Sequence, residues 1–134
     1  MKLKIYSDGG ARGNPGPAGI GVVIFDESGK VVKEISEYIG ETTNNQAEYQ
    51  AIVAGLNYAK EKKAEEVDCY LDSELVVKQV NGEYKVKDQG LAKHYLTIWN
   101  LKNNFDQARF SHVRREDNKL ADKLVNQAID NRTK

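Results

Sequence analysis

Five segments of the chain have the hydrophobic pattern of β-strands. Each is short, is rich in β-branched or alternating apolar residues, and is bounded by turn-forming residues. The predicted strands are residues 3–7, 18–25, 30–40, 66–71 and 108–114. The first three follow one another across short turns, which is typical of an antiparallel meander. The turn between the first two is dense in glycine and proline, and Gly9, Gly10, Gly13 and Gly16 permit positive φ and close backbone approach.

The spacing of apolar residues changes after the third strand to steps of three and four, which predicts amphipathic helices. The predicted helices are residues 43–63, 74–80, 91–105 and a last one that follows residue 118. Thr43 and Gln46 have the spacing of a capping box. Ser73 can cap the second helix, and either Asp117 or Asn118 caps the last.

The element order β-β-β-α-β-α-α-β-α predicts an α/β protein with one five-stranded mixed sheet. The first strand pairs with the meander on one side, and right-handed crossovers place the last two strands parallel to it on the other. Helices flank both faces, and on the third helix either Ile98 or Trp99 continues the buried stripe. Ligands in such sheets bind beyond the carboxyl ends of the parallel strands, where Asp8 and Asp72 stand.

Composition restricts the class of protein. The 134 residues predict a single domain spanning 1–134. Twenty basic residues balance twenty acidic ones, so nucleic acid contacts must come from local patches. The one cysteine, Cys69, excludes an internal disulfide and fits a reducing compartment. The chain contains no long apolar run and no signal-type segment, so we expect a cytoplasmic protein with no membrane partner.

Two acids occupy positions on the helices that should face the sheet. Glu48 shares a helical stripe with Ile52 and Leu56, and Asp122 shares one with Val125. An unpaired buried carboxylate is costly, and it normally takes a proton or finds a cation. The alternative is that these acids lie on a solvated rim, where the helix dipole favours them.

With Asp8 and Asp72, four acids from four elements are able to meet at one edge of the sheet. The chain has no matching cluster of basic residues to neutralise them. Oxygen-only ligands point to Mg²⁺ or Mn²⁺ rather than zinc. Periodicity predicts that these acids point inward, and it leaves open whether they meet.

Five motifs together resemble the type 1 ribonuclease H family (ribonuclease HI). They are YSDGG at 6–10, GNPGPAGIG at 13–21, TTNNQAEYQA at 42–51, LDSELVV at 71–77 and REDNKLADKL at 115–124. Ordered motifs separated by the right elements are a far more specific signal than any one of them. The resemblance spans nearly the whole chain and implies the ribonuclease H-like fold.

The resemblance implies hydrolysis of the RNA strand of an RNA–DNA hybrid with two divalent metal ions, Mg²⁺ or, as a substitute, Mn²⁺. Asp8, Glu48, Asp72 and Asp122 resemble the metal-binding acids of the family. Asp8 would be shared by both ions, Glu48 and Asp72 would serve the ion that activates water, and Asp122 would serve the other.

The same resemblance implies a set of substrate-binding residues. These are Gly9, Gly10, Ala11, Asn14, Thr43, Asn44, Asn45 and Glu74. Thr43 and Asn44 also suit helix capping, and Glu74 stands where family members often carry glutamine. The expected partner is an RNA–DNA hybrid, double-stranded RNA is a second candidate, and we expect a monomer.

The chain departs from well-known bacterial members in two places. It has no histidine in the loop before the last helix, and it resembles the shorter, archaeal-like branch. Arg115 is therefore a candidate catalytic residue for phosphate positioning or product release, although a basic residue at the end of a strand is an equal alternative. The basic protrusion is also missing, which leaves Lys85, Lys87 and Lys93 as a small patch in which Tyr84 stacks on a sugar or base. The alternative, which each residue taken singly favours, is a solvated loop.

Two other functions remain open at this point. One is a catalytically silent module that binds hybrid or double-stranded RNA. The other is a different nuclease or integrase-like enzyme on the same sheet, since a fold does not fix a function.

Overall fold

A computed structural model describes residues 1–132 of the chain as a five-stranded mixed sheet with helices on both faces. The strand order is β3-β2-β1-β4-β5. The strands are β1 (Lys2–Ala11), β2 (Gly16–Phe25), β3 (Val31–Thr42), β4 (Glu66–Leu71) and β5 (Gln107–His112). β1, β2 and β3 are antiparallel, whereas β4 and β5 run parallel to β1. The predicted fold class and pairing are confirmed.

Four α-helices connect and follow the strands in the predicted order. They are α1 (Asn44–Glu61), α2 (Glu74–Val80), α3 (Gln89–Lys102) and α4 (Lys119–Asp130), and a short 3₁₀ turn (Arg115–Asp117) precedes α4. α3 begins before the predicted residue 91 because the Asp88 carboxylate accepts hydrogen bonds from the backbone N–H groups of Gly90 and Leu91. Within residues 1–132, no helix combines the length and the apolar character needed to cross a membrane.

The capping box predicted at the start of α1 forms only in part. The Thr43 hydroxyl accepts from the Gln46 backbone N–H at 3.2 Å. The Gln46 side chain does not return to Thr43, because its Oε1 instead accepts from the Thr42 hydroxyl at 3.0 Å. Ser73 caps α2 as predicted, and its hydroxyl accepts from the Val76 N–H.

The main hydrophobic core lies between the sheet and the first three helices. Ile98 is buried in it, whereas Trp99 is 53% exposed, so Ile98 continues the stripe of α3. α4 covers the opposite face of the sheet and buries Ala121, Leu124 and Val125 there.

Two glycines allow helices to approach the sheet backbone. A Cβ atom at Gly9 would overlap the backbone of Ala47 in the first turn of α1, and one at Gly21 would overlap the Ala121 carbonyl of α4. These contacts bring the first turns of both helices, and with them Glu48 and Asp122, next to β1.

β1 is longer than the sequence predicts. Its ladder with β2 continues through Asp8↔Gly21 to Ala11↔Ala18, because its glycines keep an extended, hydrogen-bonded backbone. Among the glycines of this region only Gly13 has a positive φ, of 99°. The parallel ladder with β4 ends at Tyr6↔Tyr70. Asp8 therefore lies inside the antiparallel ladder, just where β4 separates from β1.

Candidate active site

The four acids predicted from the sequence line one cavity of about 550 Å³. Asp8 comes from β1, Glu48 from the first turns of α1, and Asp122 from the first turn of α4, while Asp72 directly follows β4. The cavity is also lined by Gly9, Gly10, Ala11, Asn44, Asn45, Ser73 and Arg115. A larger cavity of about 610 Å³, between the β2–β3 turn and the 3₁₀ turn, contains none of the four acids. The fold thus gathers the predicted acids at one place.

Burial and mutual repulsion disfavour ionisation of two of these acids. The pKa of Asp8 is raised to about 8, mainly by burial and then by the negative charges of Asp72, Asp122 and Glu48, with hydrogen bonding to Asp122 adding to the rise. The pKa of Glu48 is raised to about 7, again mainly by burial. The nearby Ser73 hydroxyl acts in the opposite direction, and Asp72 adds to the rise.

No basic side chain neutralises this group of acids within residues 1–132. The salt bridges of the described chain involve other carboxylates. Arg12, one of the two arginines that line the cavity, pairs with Asp130 at 2.6 Å. A buried group of like charges without a counterion favours the binding of a cation.

The donors suit a hard divalent cation, because all four are carboxylates and none is histidine or cysteine. Over residues 1–132, however, no group of three or more His, Cys, Asp or Glu side chains is close enough together to hold a metal ion. The acids share a cavity and an electrostatic environment without converging on a single point. Metal ligation by these residues stays a prediction.

Arg115 lies on the 3₁₀ turn at the edge of the same cavity and is exposed. Its guanidinium forms no salt bridge or hydrogen bond within the described chain. The two histidines lie elsewhere, since neither His94 nor His112 lines the cavity. The geometry is therefore compatible with a role for Arg115 and does not test it.

The residues predicted to contact substrate divide into two groups. Gly9, Gly10, Ala11, Asn44 and Asn45 line the cavity, whereas Asn14, Thr43 and Glu74 do not. Glu74 is 64% exposed and forms a salt bridge of 3.0 Å with Lys78, one turn along α2.

Two asparagines join the loop after β1 to the start of α1. The Ala11 N–H donates to Asn44 Oδ1 at 2.7 Å, and the Asn44 N–H donates to Asn14 Oδ1 at 3.0 Å. Both amide oxygens are thereby engaged. Neither Nδ2 group takes part in a hydrogen bond within residues 1–132, which leaves two donors at the loop.

The small patch predicted after α2 is exposed, as Lys85, Lys87 and Lys93 all face solvent. The Tyr84 ring is covered by a lysine from α2, because the Lys78 Nζ lies 5.0 Å from its centroid. Tyr84 is nevertheless 50% exposed, so its stacking on a sugar or base stays a prediction.

Asn118 does not cap α4 with its side chain, although it occupies the N-cap position, and Asp117 does not cap it either. The Asn118 Nδ2 group instead donates to the Ser7 carbonyl at 3.0 Å and to Asp72 Oδ2 at 3.2 Å. Asn118, one of the two predicted candidates, is thus the N-cap residue, but it makes no side-chain capping hydrogen bond because the amide turns towards the sheet. Sequence reasoning missed this contact, although Asn118 precedes Asp122 by one helical turn and so shares its face.

Ser73 is a second residue whose place in the site was not predicted. The sequence indicates only a helix cap at this position, yet the side chain also lines the cavity beside Glu48. Its position directly after Asp72 was the one feature of the sequence that could have indicated a place in the site.

Comparison with known proteins places the chain in a family. The reverse transcriptase-like family matches residues 6–128. Ribonuclease HI of Halobacterium salinarum is 39% identical over 129 residues, which are 96% of this chain and 65% of that protein. The bifunctional protein Rv2228c of Mycobacterium tuberculosis is 43% identical over 97% of this chain. The chain spans only 36% of the length of that relative.

Solved structures of ribonuclease H proteins have the same fold as this chain. The crystal structure of RNase H1 from Halobacterium salinarum superimposes with a TM-score of 0.94 at 38% identity, covering 97% of this chain and 98% of that one. The N-terminal RNase H domain of Rv2228c gives 0.93 at 42% identity, covering 96% and 99%. LC11-RNase H1, isolated from compost and solved in complex with an RNA/DNA hybrid, gives 0.92 at 47% identity, covering 98% and 99%. By its motifs, its strand order and these matches, the chain belongs to the type 1 ribonuclease H family.

Proposed function

We propose that this chain is an endoribonuclease that hydrolyses the RNA strand of RNA–DNA hybrids. The observation that carries the proposal is that Asp8, Glu48, Asp72 and Asp122 line one cavity and have no basic partner in the described chain. The RNA/DNA hybrid held by LC11-RNase H1 supports the choice of substrate.

The four carboxylates would hold two Mg²⁺ ions, with Mn²⁺ as a substitute. Asp8 would be shared by both ions, Glu48 and Asp72 would complete one position, and Asp122 the other. Bound ions of this kind orient water for in-line attack and neutralise charge on the entering and leaving oxygens. The raised pKa values of Asp8 and Glu48 support the assignment, because a cation would stabilise their ionised forms.

The chain itself would bind and orient the RNA strand. Gly9, Gly10 and Ala11 line the cavity beside Asp8, and the missing side chain of Gly10 would let a ribose approach closely enough for its 2′-hydroxyl to be recognised. The amide nitrogens of Asn14, Asn44 and Asn45 are neutral donors for sugar and phosphate oxygens. Thr43 supports them by capping α1, and Arg115 supplies a positive charge at the edge of the cavity. Glu74 has the weakest support among the predicted contacts, because it is paired with Lys78 outside the cavity.

A substrate panel tests the proposal. The chain should cut a labelled RNA–DNA hybrid in Mg²⁺ or Mn²⁺, and not duplex DNA, while double-stranded RNA reports the breadth of recognition. Asp72→Asn removes one ligand charge with little change of shape, so it should abolish cutting and leave the fold intact. Intact hybrid at high protein concentration with either ion would contradict the proposal.

The second candidate is a silent module that binds hybrid or double-stranded RNA on the same surface. Retention of all four acids at one cavity favours the enzyme. Binding without cutting in the same panel would select the module instead. A cytoplasmic location, a monomeric state and a single domain over residues 1–134 stay predictions from the sequence.

A further inference from the structure

We propose that Asn118 is a positioning residue that holds the Asp72 carboxylate in place for metal binding. The inference rests on the proposed function, because it assigns Asp72 to the metal site. Asn118 itself contributes no charge to the site, and it acts on the reaction only through Asp72.

The contacts of Asn118 fix the orientation of its amide. The side chain is 2% exposed. Its Nδ2 group lies 3.0 Å from the Ser7 carbonyl oxygen and 3.2 Å from Asp72 Oδ2. Both partners are acceptors only, so the nitrogen and not the oxygen must face them. A hydrogen bond to a carboxylate is charge-assisted and stronger than a neutral one.

These contacts lie where strands β1 and β4 separate from each other. The parallel ladder of β1 and β4 ends at Tyr6↔Tyr70, so the Ser7 carbonyl has passed the last pair of that ladder. The Asn118 amide enters the gap and bridges β1 to the residue that follows β4. It thereby fixes the separation of Asp8, which follows Ser7, from Asp72.

The backbone of Asn118 reaches a third acid. Its carbonyl accepts the N–H of Asp122 at 3.1 Å, in the first turn of α4. One residue thus connects the elements that carry Asp8, Asp72 and Asp122. A hydrogen-bonding partner behind a metal ligand orients that ligand, and such partners typically affect metal affinity or activity by about 10–100-fold.

Stability alone does not explain this arrangement. The side chain leaves α4 without a side-chain cap. Its Oδ1 atom is buried and has no hydrogen-bond partner within the described residues. An asparagine selected only to begin a helix would direct Oδ1 to the free N–H groups of the first turn. The Asn118 side chain instead directs its Nδ2 group to the Asp72 carboxylate, so Oδ1 does not face these N–H groups.

Two substitutions separate the donor from the shape of the side chain. Asn118→Ala removes the amide, and Asn118→Asp keeps the shape but places an acceptor against the Asp72 carboxylate. Asn81→Ala is the matched control, because Asn81 Nδ2 also donates to a strand carbonyl, that of Phe110 at 3.1 Å, but lies outside the cavity. For each variant, calorimetry measures Mg²⁺ affinity, hybrid cleavage gives kcat and KM, and thermal unfolding gives Tm.

We expect Asn118→Ala to weaken Mg²⁺ binding and to lower kcat by about 10–100-fold, with KM for the hybrid within about 3-fold of the parent. Asn118→Asp should lose at least as much, and Asn81→Ala should change Tm alone. Parent-like Mg²⁺ affinity in folded Asn118→Ala or Asn118→Asp would overturn the inference.

The two readouts separate this inference from the proposed function. A parent protein that binds Mg²⁺ but cuts no hybrid contradicts only the proposed function, and the Mg²⁺ affinities still decide the role of Asn118. A parent protein that binds no Mg²⁺ overturns both. If Asn118→Ala does not fold, the isosteric Asn118→Asp decides the question by the same measurements.

Discussion

The Tyr49 hydroxyl donates a 2.7 Å hydrogen bond to Gln79 Oε1, and both side chains are buried. Tyr49 follows Glu48 on α1, and Gln79 lies on α2, the helix that begins after Asp72 and Ser73. The pair joins the two helices behind the candidate site. Burial also raises the pKa of the Tyr49 hydroxyl well above its usual range, so the group stays a neutral donor.

Tyr49→Phe should lower the free energy of unfolding by about 1–3 kcal/mol, since it leaves the buried Gln79 amide without this partner. Urea denaturation measures the change. Tyr58→Phe is the control, because Tyr58 lies on the same helix and its hydroxyl has no hydrogen bond within residues 1–132. Equal losses in the two variants would show that the buried bond contributes nothing of its own.

Gly21→Ala should destabilise the fold by about 1–3 kcal/mol, the usual cost of overpacking. The added Cβ would overlap the Ala121 carbonyl and lie 2.9 Å from the Leu124 Cβ, so α4 must move away from the sheet. Gly10→Ala is the control for stability, because its Cβ would meet its nearest neighbour at an ordinary 3.7 Å. Equal melting temperatures for the two variants would contradict the close approach of α4.

The spacing of apolar residues predicted the strands, the helices and their order. It did so because the apolar faces of α1 and α4 and the apolar segment of β2 are long and regular. It also placed Glu48 and Asp122 on the helix faces that turn to the sheet, and in the structure both are half-buried and line one cavity. The length of β1 was not predicted, because glycine is a turn residue in most contexts. Whether Gly9 and Gly10 stay in a ladder depends on partners in β2 and on the neighbouring helices.

Side-chain choices among several partners were also beyond the sequence. Asn118 can cap a helix or bind a carboxylate, and only the separation of β4 from β1 puts Asp72 within its reach. The pairing of Glu74 with Lys78, by contrast, could have been predicted, because the helical spacing of four residues favours it. Local propensity was reliable where one partner dominates and failed where tertiary contacts decide.

Asp68 should make stability depend on acid pH. Burial alone would raise its pKa, but hydrogen bonds from Lys2 and Arg109 outweigh burial and hold the pKa below its usual value. The contacts are 3.0 Å to Lys2 and 2.9 Å to Arg109. Because the folded pKa is depressed, the stabilisation is complete above the unfolded pKa of about 4 and is lost as pH falls through the folded pKa.

Asp68→Asn should therefore cost about 1 kcal/mol at pH 7, a modest figure because both cations are partly exposed. The difference from the parent should shrink in acid. Urea denaturation at neutral and acid pH measures it, with the exposed Asp106→Asn as control. A loss that stays constant down to pH 2 would exclude the ionic contribution.

Arg115→Ala should lower kcat on a hybrid by at least about 10-fold, since a cation near a reacting phosphate stabilises charge that develops there. Arg114→Ala is the matched control, because Arg114 is the neighbouring arginine that does not line the cavity. Single-turnover assays separate the chemical step from product release. If both variants match the parent, the proposed role of Arg115 should be dropped.

Asp8→Asn should stabilise the metal-free protein while removing its response to Mg²⁺. The pKa of Asp8 is raised to about 8, mainly by burial and then by three neighbouring acids, so the metal-free protein must keep this carboxyl largely protonated at neutral pH. A neutral asparagine avoids that cost, which should stabilise the metal-free protein by about 0.5–2 kcal/mol. The parent should instead gain about 2.7 kcal/mol when Mg²⁺ is present at 100 times its dissociation constant. Thermal unfolding in EDTA and across a Mg²⁺ titration measures both effects, with Asp106→Asn as the control that should keep the response.

Two outcomes would mean that Asp8 is not part of a cation site. One is a parent protein whose melting temperature does not change with Mg²⁺, and the other is a variant that loses stability in EDTA. The expected crossing, with the variant more stable in EDTA and the parent more stable in Mg²⁺, has a physical cause: acids crowded to bind a cation destabilise the fold until the cation is bound.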